Sequence, residues 1–242
     1  MRVLAILLAL ALASPARASA PSGRTGGRVA GGSHGYWRVG AFAELDWSGR
    51  EFSPFFSAEA REDKYSRELE LLGGTWKRLT RDLQGRAGVG FALGRVKEAD
   101  KSSSAAIFEL GLERELPRGG FGGGYRLVSG SIGGGASPSV RGRLNTRAKE
   151  RRGKAAAQAE TEPEHYTYNE LSGYGWVPIG KGRFLNARLT LGLPSYAGPS
   201  WTGTVGLSLP FANRVWTLAP SVSLESGPPS GIYGGLALSR RF

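Results

Sequence analysis

Residues 36–47 read YWRVGAFAELDW. Apolar side chains occupy the odd positions from Trp37 to Trp47, whereas Arg38 and Glu44 occupy even positions. Because successive side chains of a β-strand point to opposite faces, this alternation predicts a strand with one apolar and one polar face. A charge in the middle of the polar face indicates that this face is wet.

The same alternation recurs through most of the chain of 242 residues. The 38 glycines argue against a helical bundle, since each would destabilise a helix interior by about 1 kcal/mol relative to alanine. Eleven candidate strands lie at about residues 35–47, 52–62, 66–76, 84–95, 105–116, 121–132, 165–178, 183–193, 201–211, 214–225 and 231–242. Barrels built from one bacterial chain have an even number of strands. A weak glycine-rich strand at about 22–32 gives twelve strands, and the loss of one candidate gives ten.

Aromatic residues recur ten positions apart on one face of a candidate strand. The pairs are Trp37 with Trp47, Tyr166 with Trp176, and Trp201 with Phe211. Ten residues of tilted strand rise about 25 Å, the height of the apolar band of an outer-membrane barrel, which has an aromatic girdle at each edge. A soluble β-sandwich also alternates, but its strands cluster near 5–6 residues. The pattern therefore predicts an all-β fold, an antiparallel up-and-down transmembrane β-barrel of twelve strands, with ten as the alternative.

The chain ends in GIYGGLALSRRF at residues 231–242. This stretch resembles the closing strand of bacterial outer-membrane β-barrels, whose members commonly end in Phe with apolar residues at every second position before it. The resemblance covers most of the chain after residue 18. It implies an outer-membrane location, with Phe242 as the signal that the barrel-assembly machinery reads. Arg240 departs from the pattern, but a rim position would let its long side chain reach water.

The first residues have the composition of a secretory signal peptide. Arg2 precedes an apolar run from Val3 to Ala13, and residues 16–18 fit the small-x-small cleavage pattern. We expect residues 1–18 to be cleaved, residues 19–34 to form a flexible glycine-rich segment or a weak first strand, and residues 35–242 to form the barrel. Since periplasmic turns are short and extracellular loops are longer, the link at about 133–164 is expected outside the cell.

The formal net charge of +12 is concentrated in that loop. Between residues 141 and 154, one glutamate is outnumbered by seven cations, namely Arg141, Arg143, Arg147, Lys149, Arg151, Arg152 and Lys154. One interpretation is a solvated loop, and the other is contact with lipopolysaccharide of the outer-membrane lipid or with an anionic polysaccharide. Nucleic acid is not an expected partner, because residues 133–164 contain no aromatic residue on which a base could stack.

Charged residues on the polar faces are candidates to line the lumen. They are Arg38, Glu44, Glu59, Arg61, Arg86, Glu109, Glu113, Arg126 and Arg188. A barrel of ten or twelve strands is slightly wider than an eight-stranded barrel, whose interior is filled by side chains. Charges of both signs therefore predict a narrow pore or transport component for small solutes or a polymer. The alternatives are a non-conducting structural or adhesion barrel that presents the basic loop, and a lipid-modifying enzyme.

The residues offer no recognisable catalytic constellation. The two histidines are His34 and His165, and neither is followed two residues later by the serine that outer-membrane esterases and deacylases use. The Asp-x-His pattern of omptin-type proteases is also missing. We therefore predict that the protein is not an enzyme and uses neither a cofactor nor a metal ion.

Overall fold

Twelve antiparallel strands form one closed barrel in the computed structural model, which describes residues 21–47, 52–97, 101–133, 165–180, 182–195, 198–226 and 230–242. Each strand pairs with its neighbours along the chain, and the first strand pairs with the last. The strands are β1 (Ser22–Gly32), β2 (Tyr36–Asp46), β3 (Phe52–Asp63), β4 (Ser66–Arg78), β5 (Leu83–Val96), β6 (Lys101–Leu116), β7 (Gly119–Gly133), β8 (His165–Gly180), β9 (Arg183–Pro194), β10 (Ser200–Phe211), β11 (Trp216–Ser226) and β12 (Gly231–Arg241). The prediction of a twelve-stranded barrel is confirmed, and the ten-strand alternative is wrong.

The glycine-rich segment at the start of the described chain closes the barrel as β1. It forms hydrogen-bonded ladders with β2 on one side and β12 on the other. Beyond the last rung, the Phe242 amide donates to the Gly23 carbonyl (3.0 Å) and the Gly23 amide donates to the Phe242 carbonyl (3.1 Å). A strand with few side chains is stable here because closure leaves no edge and satisfies its backbone on both sides.

The described chain begins and ends at one rim of the barrel, which we call the termini rim; the opposite end is the far rim. Short links at the termini rim join β2 to β3, β4 to β5, β6 to β7, β8 to β9 and β10 to β11. The long link of residues 134–164 leaves β7 and enters β8 at the far rim. The link between β5 and β6 is shorter than predicted, since β6 begins at Lys101.

One ion pair identifies the inner face of the sheet. Arg126 on β7 contacts Glu70 on β4, although β5 and β6 lie between these strands, so both side chains cross the lumen. The ladder registers carry this assignment around the barrel, because the side chains of paired residues share a face. On the opposite, outer face, Val89 and Leu189 are 65% and 59% exposed, as befits a surface in contact with lipid. No helix among the described residues is long and apolar enough to cross a membrane.

Candidate functional site: the lumen of the barrel

All nine residues predicted to line the lumen lie on the inner face. Eight of them line internal cavities, namely Arg38, Glu44, Glu59, Arg61, Arg86, Glu113, Arg126 and Arg188. The ninth, Glu109, forms an ion pair with Arg86, with 3.2 Å between Glu109 Oε1 and Arg86 Nη1. The alternation of the sequence was therefore sufficient to select inward-pointing charges on six of the strands before any pairing was known.

Most inward charges are joined in ion pairs between strands. Besides the pairs already described, the structure joins Arg61 to Glu68 (2.5 Å), Arg38 to Asp63 (3.8 Å), Arg28 to Glu59 and Arg24 to Glu44. The Arg28 pair bridges β1 and β3 over β2. These pairs hold the charged side chains against the wall and against each other. The open width of the lumen is therefore smaller than the diameter of the backbone barrel.

Sequence reasoning missed the partners on β1 and β4. Arg24 and Arg28 were overlooked because the segment that forms β1 is too rich in glycine to show a clear alternation. Glu68 and Glu70 did give a signal, since they alternate with Leu69 and Leu71 along β4. Leu72 obscured that signal because it is an apolar residue on the inner face, where its side chain is 3% exposed.

Two cavities that are lined by described residues lie inside the barrel. The larger, about 760 Å³, is lined near the termini rim by Arg24, Asp46, Trp76 and Trp176. The smaller, about 220 Å³, is lined by Arg61, Glu68, Ser103 and Tyr166 toward the far rim. Each cavity is lined by five arginines and three carboxylates, so arginine predominates on both surfaces.

Three arginines line both cavities and therefore stand between them. These are Arg28, Arg38 and Arg188. Arg28 is paired with Glu59, and Arg38 lies near Asp63. Among the described residues, Arg188 has no carboxylate within ion-pair distance, and its guanidinium lies 5.9 Å from the centre of the Tyr174 ring. An unneutralised guanidinium at the junction gives that point of the lumen a positive potential.

The wall of the larger cavity is asymmetric. Small side chains line it on β10, β11 and β12, namely Thr204, Gly206, Ala219, Ser221, Gly235 and Ala237. The opposite interior carries a buried cluster that includes Phe55, Leu72, Ile107 and Val128. The open space of the larger cavity therefore runs along the small-residue wall, whereas Ile107 and Val128 of the cluster line the smaller cavity.

Large inward aromatic rings lie against glycines of the neighbouring strand. A Cβ atom built on Gly122 would be 2.6 Å from Cζ of Tyr174 and 2.8 Å from the Leu112 carbonyl oxygen. Gly120 is in the same relation to Trp176, and Gly130 to Tyr166. Because these glycines lack a side chain, the rings pack flat on the wall instead of reaching across the lumen.

The structure corrects the prediction for β8. Tyr166 is 3% exposed within the inner cluster, and Trp176 lines the larger cavity, so their assignment to the outer aromatic girdle is wrong. The ladder to β9 is regular up to Pro178, and the one irregularity falls between Pro178 and Gly180. A bulge that would turn half of the strand outward is therefore not present in β8.

The inward position of the β8 aromatics has a chemical reason. The Tyr174 hydroxyl donates to Glu113 at 2.8 Å, and the Tyr174 ring stacks on Trp176 at 6.2 Å with an interplanar angle of 19°. A lipid-facing position would leave the hydroxyl near the middle of the apolar band without this partner. The outer face of β8 carries Leu171 and Val177 instead, both 48% exposed.

The remaining girdle predictions fall on or near the outer surface. Trp37, Trp201 and Phe211 are exposed by 41–48%. Trp47 follows the end of β2, and its backbone amide donates to the Pro54 carbonyl at 2.9 Å. The residue that departed from the C-terminal pattern, Arg240, has its guanidinium 5.8 Å from the centre of the Trp216 ring at the termini rim.

Two predictions concern residues outside the described part of the chain. The cleaved signal, residues 1–18, and the polyanion-contact cations between Arg141 and Lys154 both fall there. They remain predictions.

Comparison with known proteins gives a class without a family. No family model matches the chain, and no curated protein matches it. Solved structures do match, and the fold is that of bacterial outer-membrane β-barrels. The class that the fold defines is therefore that of the bacterial outer-membrane β-barrels.

Three solved structures illustrate the likeness. The KdgM porin matches at 10% identity with a TM-score of 0.61, over 90% of this chain and 99% of its own. The NanC porin matches at 11% identity with a TM-score of 0.62, over 90% and 98%. The CymD monoaromatic hydrocarbon channel matches at 11% identity with a TM-score of 0.51, over 92% and 88%. These similar structures are porins and channels, and at such identities they show the fold alone.

Proposed function

We propose that this protein is a narrow outer-membrane pore for small hydrophilic solutes, with a preference for anions. The observation that carries the proposal is the junction of two internal cavities at Arg28, Arg38 and Arg188. The cavities follow one another along the inside of a closed barrel, and the larger one is bounded on one side by small side chains. Solute passage requires only that such cavities connect to both rims.

The anion preference follows from how the charges are held. Glu59 and Glu68 are engaged by Arg28 and Arg61, so their negative charge is neutralised locally. Glu113 accepts a hydrogen bond from the hydroxyl of Tyr174. Arg188 has no such carboxylate partner among the described residues, and it stands at the junction. A pore lined in this way stabilises an anion in transit more than a cation.

Planar-bilayer recording of refolded protein tests the proposal. We expect discrete, small conductance steps and, under a tenfold KCl gradient, a reversal potential of the sign for chloride permeation. Absence of conductance at any voltage would contradict the pore, and a cation-selective reversal potential would contradict the anion preference. A similar porin is described in complex with disordered oligogalacturonate. Block of the current by that acidic oligomer is a direct measure of whether carboxylated saccharides enter this lumen.

A second candidate function is a non-conducting barrel that presents its basic loop to anionic polysaccharide or lipopolysaccharide. The observation that favours it is the set of ion pairs that span the lumen, such as Arg126 with Glu70. Deletion of residues 136–160 separates the two functions. Loss of polyanion binding with unchanged conductance supports a loop that acts independently of a pore, whereas loss of binding in a barrel that never conducts supports the second candidate.

A further inference from the structure

Aromatic rings line the larger cavity with part of their surface open to it. Tyr174 and Trp176 stack on each other at an interplanar angle of 19°, and both are half-buried. Trp76 on β4 also lines this cavity and is half-buried. In the smaller cavity, the rings of Tyr166 and Tyr168 are 3% and 5% exposed, so they present almost no surface to a solute. The larger cavity therefore differs from the smaller one by offering aromatic surface on which a planar ring can stack.

A cation lies beside this aromatic surface. Arg188 on β9 is directly opposite Tyr174 in the ladder, and its guanidinium lies 5.9 Å from the centre of the Tyr174 ring. That guanidinium forms no ion pair and no hydrogen bond with another described residue. Its donors are therefore available to a solute, and guanidinium donors bind the two oxygens of a carboxylate as a pair.

The other four arginines of the larger cavity lie near carboxylates of the protein. These neighbours are Glu44 for Arg24, Glu59 for Arg28, Asp63 for Arg38 and Glu109 for Arg86. An anionic solute would have to compete with a carboxylate at each of these positions. Arg188 is therefore the anchor at which a solute carboxylate gains most.

Uncharged polar side chains of the larger cavity are largely engaged with other side chains. Asn186 donates to Ser208 at 2.9 Å, and the hydroxyls of Thr204 and Ser223 hydrogen-bond at 2.8 Å. A saccharide that enters the cavity loses water from many hydroxyls, and each hydroxyl without a new partner is costly. An aromatic ring makes no such demand. The lining therefore favours an anion whose ring is apolar.

We propose that the larger cavity is a binding site for a monocyclic aromatic carboxylate, of which benzoate is the simplest. The solute ring stacks on Tyr174 and Trp176, and its carboxylate binds the guanidinium of Arg188. Because this guanidinium lies so close to the Tyr174 ring, the carboxylate is bonded to the solute ring directly or through one carbon. As the assignment of a transported substrate, this inference rests on the proposed function, whereas binding requires only that the cavity opens to one rim.

Fluorine NMR of 4-fluorobenzoate with the refolded mature protein in an amphipathic polymer tests the site. We expect Arg188→Gln to raise the Kd about tenfold through loss of a charged hydrogen-bond donor. We expect Trp176→Leu to raise it about fivefold through loss of ring stacking. The matched controls Arg240→Gln and Trp201→Leu remove the same kinds of side chain from the outer surface and are expected to bind as the wild type does.

Competition with unlabelled solutes tests the chemical class. We expect benzoate to displace 4-fluorobenzoate at concentrations similar to its own. Benzyl alcohol lacks the charge and galacturonate replaces the apolar ring by a hydroxylated one, so both should require concentrations at least fivefold higher. Equal displacement by benzyl alcohol would overturn the role of the carboxylate, and equal displacement by galacturonate would overturn the assignment to an aromatic ring.

The variants decide where the solute lies. Unchanged affinity in Arg188→Gln, or an equal loss in Arg240→Gln, would overturn the carboxylate position. Unchanged affinity in Trp176→Leu would overturn the stacking position. Resistance of the folded band to SDS without heating shows that each variant is a closed barrel.

Planar-bilayer recording of the same samples separates this inference from the proposed function. Chloride conductance without binding of 4-fluorobenzoate would overturn the aromatic-carboxylate site and leave the pore. Binding without conductance would support the site and overturn the pore.

Discussion

Arg126 on β7 and Glu70 on β4 meet across the interior of the barrel, with 2.6 Å between Nη2 and Oε2, although two strands separate them in the sheet. Their contact ties together two parts of the wall that lie three strands apart, and it reduces the open section of the lumen. Both side chains are largely shielded from water, with 25% and 12% exposure. The pair is therefore expected to affect both stability and conduction.

Removal of one partner tests the stability of this pair. Glu70→Gln leaves the Arg126 guanidinium without its counter-charge, and we expect the free energy of unfolding to fall by about 2 kcal/mol, below the cost for a fully dry pair because the lumen is wet. Urea unfolding in lipid vesicles measures this. The double variant Glu70→Leu/Arg126→Leu is expected to recover most of the loss. Equal destabilisation in the single and the double variant would show that the charge itself is not what matters.

Arg188 is expected to set much of the ion selectivity. Arg188→Glu reverses a charge at the junction of the two cavities, and a change of about 1 kcal/mol in local potential corresponds to about fivefold in ion occupancy. We expect the permeability ratio to move toward cations by at least that factor, measured from the reversal potential. Arg240→Glu makes the same exchange on the outer surface and should leave the ratio unchanged. A similar shift in both variants would mean that surface charge, not the junction, sets the selectivity.

The small-residue wall is expected to carry the permeation path. Ala237→Trp places an indole in the larger cavity and should lower the single-channel conductance several-fold, because Phe55 and Trp76 already line the facing side of that cavity. Ala43→Trp adds the same ring to the outer face of β2 and should conduct as the wild type does. If Ala237→Trp conducts normally, the path does not pass through the larger cavity.

Gly122 is expected to be required for the position of Tyr174. Gly122→Ala introduces a Cβ that meets both the Tyr174 ring and the Leu112 carbonyl, and overpacking of this kind costs about 1–2 kcal/mol. The displaced ring should lose its hydrogen bond to Glu113 and enter the larger cavity. Lower stability together with lower conductance in Gly122→Ala supports this displacement of the Tyr174 ring. Gly173→Ala is the control, because the structure leaves open space where its Cβ would lie. Wild-type behaviour of Gly122→Ala would show that the ring has another resting place.

A turn at the termini rim is expected to weaken in acid. Asp82 accepts hydrogen bonds from Arg114 Nε (2.8 Å) and Thr80 Oγ1 (2.9 Å), and the Arg114 bond, followed by that of Thr80, lowers the pKa of Asp82 below its usual value. A carboxylate with a lowered pKa in the folded state contributes stability above its unfolded pKa of about 3.9, and this contribution disappears as the pH falls through the folded value. We expect the wild type to exceed Asp82→Asn in urea midpoint at neutral pH. The difference should close below about pH 4, and a constant difference down to pH 2 would contradict this origin.

The fold could be predicted because each strand of a barrel wall requires one apolar and one polar face, and the alternation of side chains reveals both. Arg38, Glu44 and their apolar neighbours define the two faces of β2 without any knowledge of its partners. The N-terminal strand β1 was harder to predict, because its register comes from backbone ladders to β2 and β12. Its five glycines do not show which face points inward.

The site was only partly predictable, because an aromatic residue fits either face of a barrel. Spacing suggested that Tyr166 and Trp176 belong to the lipid girdle, whereas their surroundings inside the barrel decide otherwise. Glu170 lies on the same face as Tyr166 and Trp176, and a carboxylate there is the one signal in the sequence against a lipid-facing position. The partners that bring Tyr174 inward, Glu113 on β6 and Gly122 on β7, are 61 and 52 positions away and are brought near only by the pairing of β6, β7 and β8.

The inward glycines leave recesses in the wall, and the aromatic rings seated in these recesses determine the open width of the lumen. Strand number fixes the circumference of the backbone, but the clear width inside depends on how deeply each ring is seated in its neighbour. Exchange of one glycine for alanine lifts one ring and narrows the passage at one height, with no change in strand count or register. A lineage of such barrels could thus be resized for different cargo by single substitutions at Gly120, Gly122 and Gly130, while the lipid-facing surface stays as it is.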